Sequence, residues 1–163
     1  MADAAVTEDA FLGGRLVAAQ PAQGYRAGID PFLMAAAVPA RPGDSVLELG
    51  CGVGLGSLAL GRRIAGLTLT ALELQPALAE LARANARRND LALEVVEGDV
   101  AAMPAVLRAR RFDHVMLNPP WFERARSVPA ADPGREAGLG ESAPLSAWLG
   151  AAARRLAPRG HLT

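Results

Sequence analysis

The sequence has no lysine. All 17 basic residues are arginine, and 17 acids balance them to a formal charge of zero, so overall charge does not mark the chain as a nucleic-acid binder. The arginine and alanine bias is what a GC-rich coding sequence produces and is assigned no chemistry. There is a single cysteine, Cys51. It cannot form an intrachain disulfide, which suits a reducing cytoplasm, the expected location. Aromatic residues make up only 4% of the chain, so a Trp or Tyr beside a motif stands out. Hydrophobic content is 51%, yet Pro, Gly or charge breaks every apolar run well short of the roughly 20 residues a membrane helix needs. The first residues lack a basic region followed by an apolar stretch and are read as carrying no secretory leader. No His/Cys cluster has metal-ligand spacing, and no metal is expected. A chain of 163 residues is one domain with room for a real core.

What is present is organised around Val46-Leu47-Glu48-Leu49-Gly50-Cys51-Gly52-Val53-Gly54. A short apolar run with an internal acid reads as a buried parallel strand. The alternating glycines read as a tight turn, and helix-like sequence begins at about Leu55. Around this stretch, strand-like and helix-like segments alternate. Strands are expected at Val46–Leu49, Leu67–Leu72, Leu93–Val96 and His114–Leu117. Helices are expected at Leu55–Arg63, from Pro76 to about Arg88, in a short turn after Pro104, and at Ser146–Leu156. The spacing implies an α/β fold with a mostly parallel sheet and helices on both faces.

Upstream, residues 1–10 are small and acidic and are expected to fray. Phe11–Gln20 around Gly13-Gly14 suits a small hairpin. Asp30-Pro31 is a helix start in which the carboxylate caps free N–H groups, and the segment from there to Val38, apolar nearly all round, is expected to be buried. This divides the chain into an N-terminal extension, 1–30, and a main domain, 31–163. Pro158-Arg159-Gly160 reads as a turn into His161-Leu162-Thr163, so the chain stops inside a fifth strand. That would leave His114–Leu117 as an exposed apolar edge, open to self-association.

Three acids fall at strand ends: Glu48, Glu73 and Asp99. Parallel strands share a direction, so all three face one cleft. Carboxylates there accept hydrogen bonds from amines or ribose hydroxyls. They suit a cationic sulfonium and ammonium ligand better than a pyrophosphate, whose charge would meet theirs. Taken singly, Glu73 also suits a helix cap and Asp99 a turn. The pattern resembles the class I, Rossmann-like S-adenosylmethionine-dependent methyltransferases. That resemblance implies S-adenosyl-L-methionine as cofactor. Glu48 and the loop Gly50, Cys51, Gly52 and Gly54 would hold its methionine part and Glu73 its ribose. Asp99 would take its adenine amine, with Leu74 and Val100 alongside.

The second motif is Asn118-Pro119-Pro120-Trp121. A planar exocyclic amine is a poor nucleophile because its lone pair is delocalised. A side-chain amide oxygen and a backbone carbonyl can accept its two N–H bonds and turn the lone pair toward a methyl group. The prolines fix φ and stiffen the loop, and Trp121 offers a stacking face. Asn-Pro-Pro-aromatic loops mark amino-group methyltransferases in the superfamily that the chain resembles, with Tyr or Phe commoner than Trp at the last place.

Phe11-Leu12-Gly13-Gly14-Arg15, Gln20-Pro21 and Gly24-Tyr25-Arg26-Ala27-Gly28-Ile29-Asp30 narrow the resemblance. Together with the glycine loop, Glu73-Leu74-Gln75-Pro76 and Glu97-Gly98-Asp99, they are similar to the bacterial tRNA1(Val) adenine-N6 methyltransferases. This implies N6-methylation of the adenine beside the anticodon of a valine tRNA, with tRNA as partner. Arg26 and Asp30 would help close over the cofactor, although Asp30 is already explained as a cap. The same chemistry on a protein glutamine amide, an rRNA guanine or DNA adenine stays open, as does a cofactor- or RNA-binding module without turnover. Arg124, Arg126 and Arg135, past the motif, suit either a solvated loop or phosphate contacts. Cys51 between two glycines, and His114 and His161 at strand positions, are read as packed groups.

Overall fold

Leucine- and valine-rich runs and alanine-rich helical runs alternate along the chain, and the backbone conforms to them. The computed structural model describes residues 5–23, 26–119 and 143–163; Pro120, Trp121, Arg124, Arg126 and Arg135 lie outside the described residues. Five strands, β3 (Ser45–Leu49), β4 (Thr68–Glu73), β5 (Glu94–Glu97), β6 (Phe112–Leu117) and β7 (Leu156–Leu162), form a sheet in the order β5-β4-β3-β6-β7. Every neighbouring pair is parallel, the arrangement expected of helix-length crossovers.

Alternation along the strands splits the core between the two faces. Val46, Leu69 and Met116 point to α1 (Asp30–Ala37) and α2 (Leu55–Arg63), burying Ala35, Ala59 and Leu60. Leu47, Leu49, Leu72 and Val115 point the other way. They meet Leu107 of α4 (Ala105–Arg108) and Trp148, Ala151 and Ala152 of α5 (Leu145–Arg155). The helix α3 (Pro76–Arg88) packs Ala82 against Ala71 and Cys51.

Several expectations are corrected. The strand β1 (Val6–Phe11) pairs antiparallel with β2 (Leu16–Pro21), so the hairpin forms, but it begins at Val6 rather than after a frayed tenth residue. Its acids are held in place: Glu8 accepts from Arg88 at 2.6 Å and Asp9 from Arg26 at 2.5 Å. Asp30 is the first residue of α1 rather than its cap, which is Ile29, and no side chain caps this helix. Nor is α1 buried all round: Leu33 is 59% exposed, because only one side of the helix, with Pro31 and Ala35 buried and Phe32 and Met34 partly so, packs on the domain.

The segment Pro158–Gly160 does not precede the last strand. It lies within β7 as a bulge, with Arg159 at φ +65°, and the pairing with β6 is irregular between Phe112 and His114. Beyond it the ladder resumes, and Thr163 exchanges hydrogen bonds with Leu117 and Val115 at 3.1 and 3.0 Å. The fifth strand is therefore seven residues long and covers β6, so the expected exposed edge at His114–Leu117 is absent. As expected, His114 is packed: its Nε2 meets Asp44 Oδ2 at 3.0 Å and its ring stacks on His161; His161 itself, on the outer strand, is exposed rather than packed.

Two asparagines fix the hairpin to the domain. Asn85 Oδ1 accepts from Ala19 N–H at 2.8 Å, and its Nδ2 donates to the Ala19 and Val53 carbonyls at 3.0 Å each. One helical turn later, Asn89 accepts from Val17 N–H at 3.0 Å and donates to the Val17 carbonyl at 2.7 Å. Residues four apart share a helix face, so α3 presents two side-chain amides that serve β2 as another strand would. Val53 belongs to the glycine loop, so Asn85 joins hairpin, helix and loop. Removing this buried side chain leaves three backbone groups unpaired, each costing about 1–3 kcal/mol. Asn85→Ala is expected to lower stability in urea unfolding by about 3 kcal/mol and to speed amide exchange in β2. A loss below about 0.5 kcal/mol, less than one buried group left unpaired, would contradict the clamp.

Candidate functional site

The carboxyl ends of β3, β4, β5 and β6 open into one cleft. The strands are paired residue for residue, Leu49 opposite Leu72 and Leu117, so the residues just beyond each strand arrive at the same level. Glu48, Glu73, Asp99 and Asn118 all line this cleft. So do Gly50, Cys51, Gly52, Leu74 and Val100.

The glycine loop is hung from the end of β4. Gly50 and Cys51 N–H both donate to the Leu72 carbonyl, at 2.8 and 3.1 Å. Gly52 N–H donates to Glu73 Oε2 at 2.8 Å. Gly50 has φ +69°, and a Cβ there would stand 2.7 Å from Cη2 of Trp148, so both backbone and packing require glycine. Gly54 does not line the cleft; it is the left-handed residue before α2, and a Cβ would press on Ala82 at 3.2 Å.

The two buried carboxylates do local structural work as well. Glu73 is 5% exposed, and its Oε1 accepts from Gln75 N–H at 2.9 Å at the start of α3. It therefore supports a helix start and holds the glycine loop at once. Glu48 is 4% exposed, and its Oε2 accepts both Ser57 N–H at 2.8 Å and Ser57 Oγ–H at 2.5 Å. It serves the first turn of α2, whose cap residue Gly54 has no side chain to offer. Gly56 makes room for this, since a Cβ there would stand 2.4 Å from Glu48 Oε1. Burial pushes the Glu48 carboxyl up to about 7, against the pull of the Ser57 hydrogen bonds and with help from the Glu73 charge. Burial and the same two carboxylates push the Cys51 thiol well above its usual value, leaving it without thiolate character.

Asp99 Oδ1 accepts from Ala101 N–H at 2.8 Å, forming a turn while lining the cleft. Arg26 is not in the cleft. It donates to Thr7 Oγ1 and the Pro21 carbonyl and pairs with Asp9, because these hairpin acceptors hold its guanidinium outside. Asp30 is exposed and does not line the cleft either. Its neighbours do: Ala27, Pro31 and Met34 form one wall with Gln20. Gln20 is 2% exposed, accepting from Ala27 N–H at 2.9 Å and donating to Asp9 at 3.0 Å. The cleft wall that sequence reasoning missed is Trp148, whose indole Nε1 is buried without a partner among the described residues. Only its rarity marked it, since it lies beside no motif.

Residues 29–131 match the family model of the methyltransferase small domain. The chain belongs to this methyltransferase family. It is 32% identical over 146 residues to a tRNA1(Val) (adenine(37)-N6)-methyltransferase of Porphyromonas gingivalis, covering 84% of this chain and 56% of that protein. A protein of the same name from Cronobacter sakazakii is 32% identical over 114 residues, covering 68% of this chain and 45% of its own length. The chain thus spans about half the length of the curated relatives it matches. Among solved structures, Trm5b from Pyrococcus abyssi superposes with TM-score 0.65 at 13% identity, over 98% of this chain and 40% of that one. A precorrin-6y C5,15-methyltransferase from Geobacter metallireducens gives 0.64 at 15%, over 89% and 66%. The fold is that of class I methyltransferases, and membership of the family implies S-adenosylmethionine as cofactor. Among the described residues no helix is long and apolar enough to cross a membrane.

The cleft fits that cofactor: buried carboxylates for a cation and for hydroxyls stand beside the apolar Leu74, Leu78 and Val100. The raised Glu48 carboxyl has a consequence for stability. Its folded value near 7 lies above the 4.5 of a free glutamate, so the folded state binds the extra proton between those limits. Its contribution is present below about pH 4.5 and is lost as pH rises through 7. Relative to Glu48→Gln, the wild type is expected to lose on the order of 3 kcal/mol in denaturant unfolding between about pH 4.5 and 8. A difference that does not change with pH would contradict a buried, proton-binding Glu48.

Proposed function

We propose that this chain carries the S-adenosylmethionine-dependent N6-methylation of an adenine in tRNA, the anticodon-adjacent adenine of a valine tRNA. The observation that carries the reading is Asn118. It leaves β6 into the same cleft as Glu48 and Glu73 and begins the Asn-Pro-Pro-Trp run of an amino-group methyltransferase. Relatives named tRNA1(Val) (adenine(37)-N6)-methyltransferase support the substrate class.

When bound, the cofactor supplies an electrophilic methyl group on a sulfonium centre. The chain's residues bind and orient. Glu73 accepts from the ribose hydroxyls, Leu74 and Val100 flank the adenine, and Asp99 takes its amine. Gly50, Cys51, Gly52 and Glu48 receive the methionine end, where a positive charge favours ionised Glu48. The Asn118 amide oxygen and a carbonyl of the Pro-Pro loop accept the two N–H groups of the target amine and aim its lone pair. Pro119 and Pro120 stiffen that loop and Trp121 stacks on the target base. No strong base is required, because the amine nitrogen becomes acidic only as the new N–C bond forms. The catalysis is chiefly orientation.

The test is transfer of radiolabelled methyl to tRNA lacking the modification, with digestion to nucleosides. Label is expected in N6-methyladenosine, reduced on the order of 10²-fold or more by Asn118→Ala, as for loss of a positioned hydrogen-bonding group, with cofactor affinity unchanged. Label on another nucleoside or on protein, or full activity of the variant, would contradict the proposal.

A further inference from the structure

Arginine is unevenly placed in this neutral chain. Residues 100–111 and 143–163 contain Arg108, Arg110, Arg111, Arg154, Arg155 and Arg159 and not one Asp or Glu; the acid that follows, Asp113, accepts from Ser45 N–H and Oγ–H at 2.8 and 2.7 Å. The fold brings these two segments together. Phe112 pairs with Leu156 at the start of β6 and β7. Arg155 is buried and donates from Nη1 to the carbonyls of Leu107, Arg108 and Arg110, stitching the end of α5 to the end of α4. Burial, then the charges of Arg111, Arg154 and Arg108, lower its affinity for its proton, an independent sign that the cations crowd one another.

Two of the six are engaged: Arg155 in that stitch, and Arg110 with Glu94 at 2.7 Å, Thr70 at 2.9 Å and the Phe112 ring. The other four, Arg108, Arg111, Arg154 and Arg159, are exposed, and none forms an ion pair with a described residue. Like charges held side by side repel, which costs stability unless an anion joins them. The buried Arg155 stitch holds the end of α5 on the end of α4, and the charges of Arg108, Arg111 and Arg154 act on it; Arg159 follows in β7.

We propose that Arg108, Arg111, Arg154 and Arg159 form a phosphate-binding face for the RNA substrate, at the opposite end of the sheet from the methyl-transfer cleft. This rests on the tRNA reading of the cleft. Planar guanidinium groups pair with phosphate oxygens through two parallel hydrogen bonds. Protein interfaces are built on an apolar centre, whereas within 105–111 and 153–159 Val106 is the one large apolar side chain that stands exposed, at 51%. The six residues of β6 put this face about 20 Å from Asn118, at roughly 3.3 Å per residue. A free nucleoside cannot touch both; a folded RNA can. The face also supplies the local basic surface that a neutral protein needs to hold a polyanion.

Fluorescence anisotropy with a full-length tRNA across a salt series tests this, with wild type beside Arg108→Glu/Arg111→Glu and Arg154→Gln/Arg159→Gln. S-adenosylhomocysteine titration serves as the folding control, so a variant that fails it is replaced by the other pair. Each pair is expected to weaken tRNA binding about tenfold or more. Each is also expected to lower the slope of log affinity against log salt by about 0.7–0.9 for every phosphate no longer neutralised. Unchanged affinity and slope in folded variants would overturn the face. So would polyglutamate competing as well as RNA with the same arginine dependence, which would indicate an acidic protein partner. Arginine-dependent RNA binding without methyl transfer to tRNA would retain the face and reject the adenine reading instead.

Discussion

The cleft depends on how the end of β4 holds the glycine loop. The Leu72 carbonyl takes two consecutive N–H groups, and Glu73 takes a third from Gly52. These bonds exist only because β3 and β4 run parallel in register, with Leu49 opposite Leu72. They go with the left-handed backbone at Gly50 that brings the loop against Trp148. Glu73 offsets the cost of its burial by working twice, since its other oxygen starts α3. Loop and helix start are thus tied to the end of β4 by the Leu72 carbonyl and one carboxylate, and a ligand meets a site already formed.

Electrostatics then divide the molecule. Two acids are buried at the carboxyl end of the sheet, one holding its proton near neutral pH. A cation entering the cleft finds stabilisation there, while a phosphate is repelled. At the other end of the sheet the arginines of α4 and α5 outnumber the acids, of which Glu94 pairs with Arg110, Asp44 with His114 and Asp113 with Ser45. A net charge of zero conceals this uneven placement of the arginines.

Much of this is legible in the sequence because local rules and the fold agree. Alternating strands and helices, glycines after a strand and acids at strand ends all come from short-range pattern, and the cleft contains Glu48, Glu73, Asp99 and Asn118 as the pattern requires. Partnerships between distant residues are not legible. Asn85 looks like an ordinary helix residue and Asn89 like a helix end until β2 lies beside them. Pro158 and Gly160 look like a turn because their sequence breaks a strand, yet β6 accepts an irregular register to keep them. Asp30 looks like a cap because Pro31 comes next, but the helix starts one residue earlier and Arg26 turns to Asp9. The Trp148 wall arises from packing across the sheet, and no local signal carries that information.

The most direct measurement is a crystal structure with S-adenosylhomocysteine bound. The ligand is expected in the cleft between β3 and β4, with its ribose hydroxyls on Glu73 and its adenine between Leu74 and Val100. The Gly52 N–H is expected to remain on the Glu73 carboxylate. A ligand seated away from Glu73, or a glycine loop that must let go of β4 to admit it, would contradict a site preformed by the end of β4.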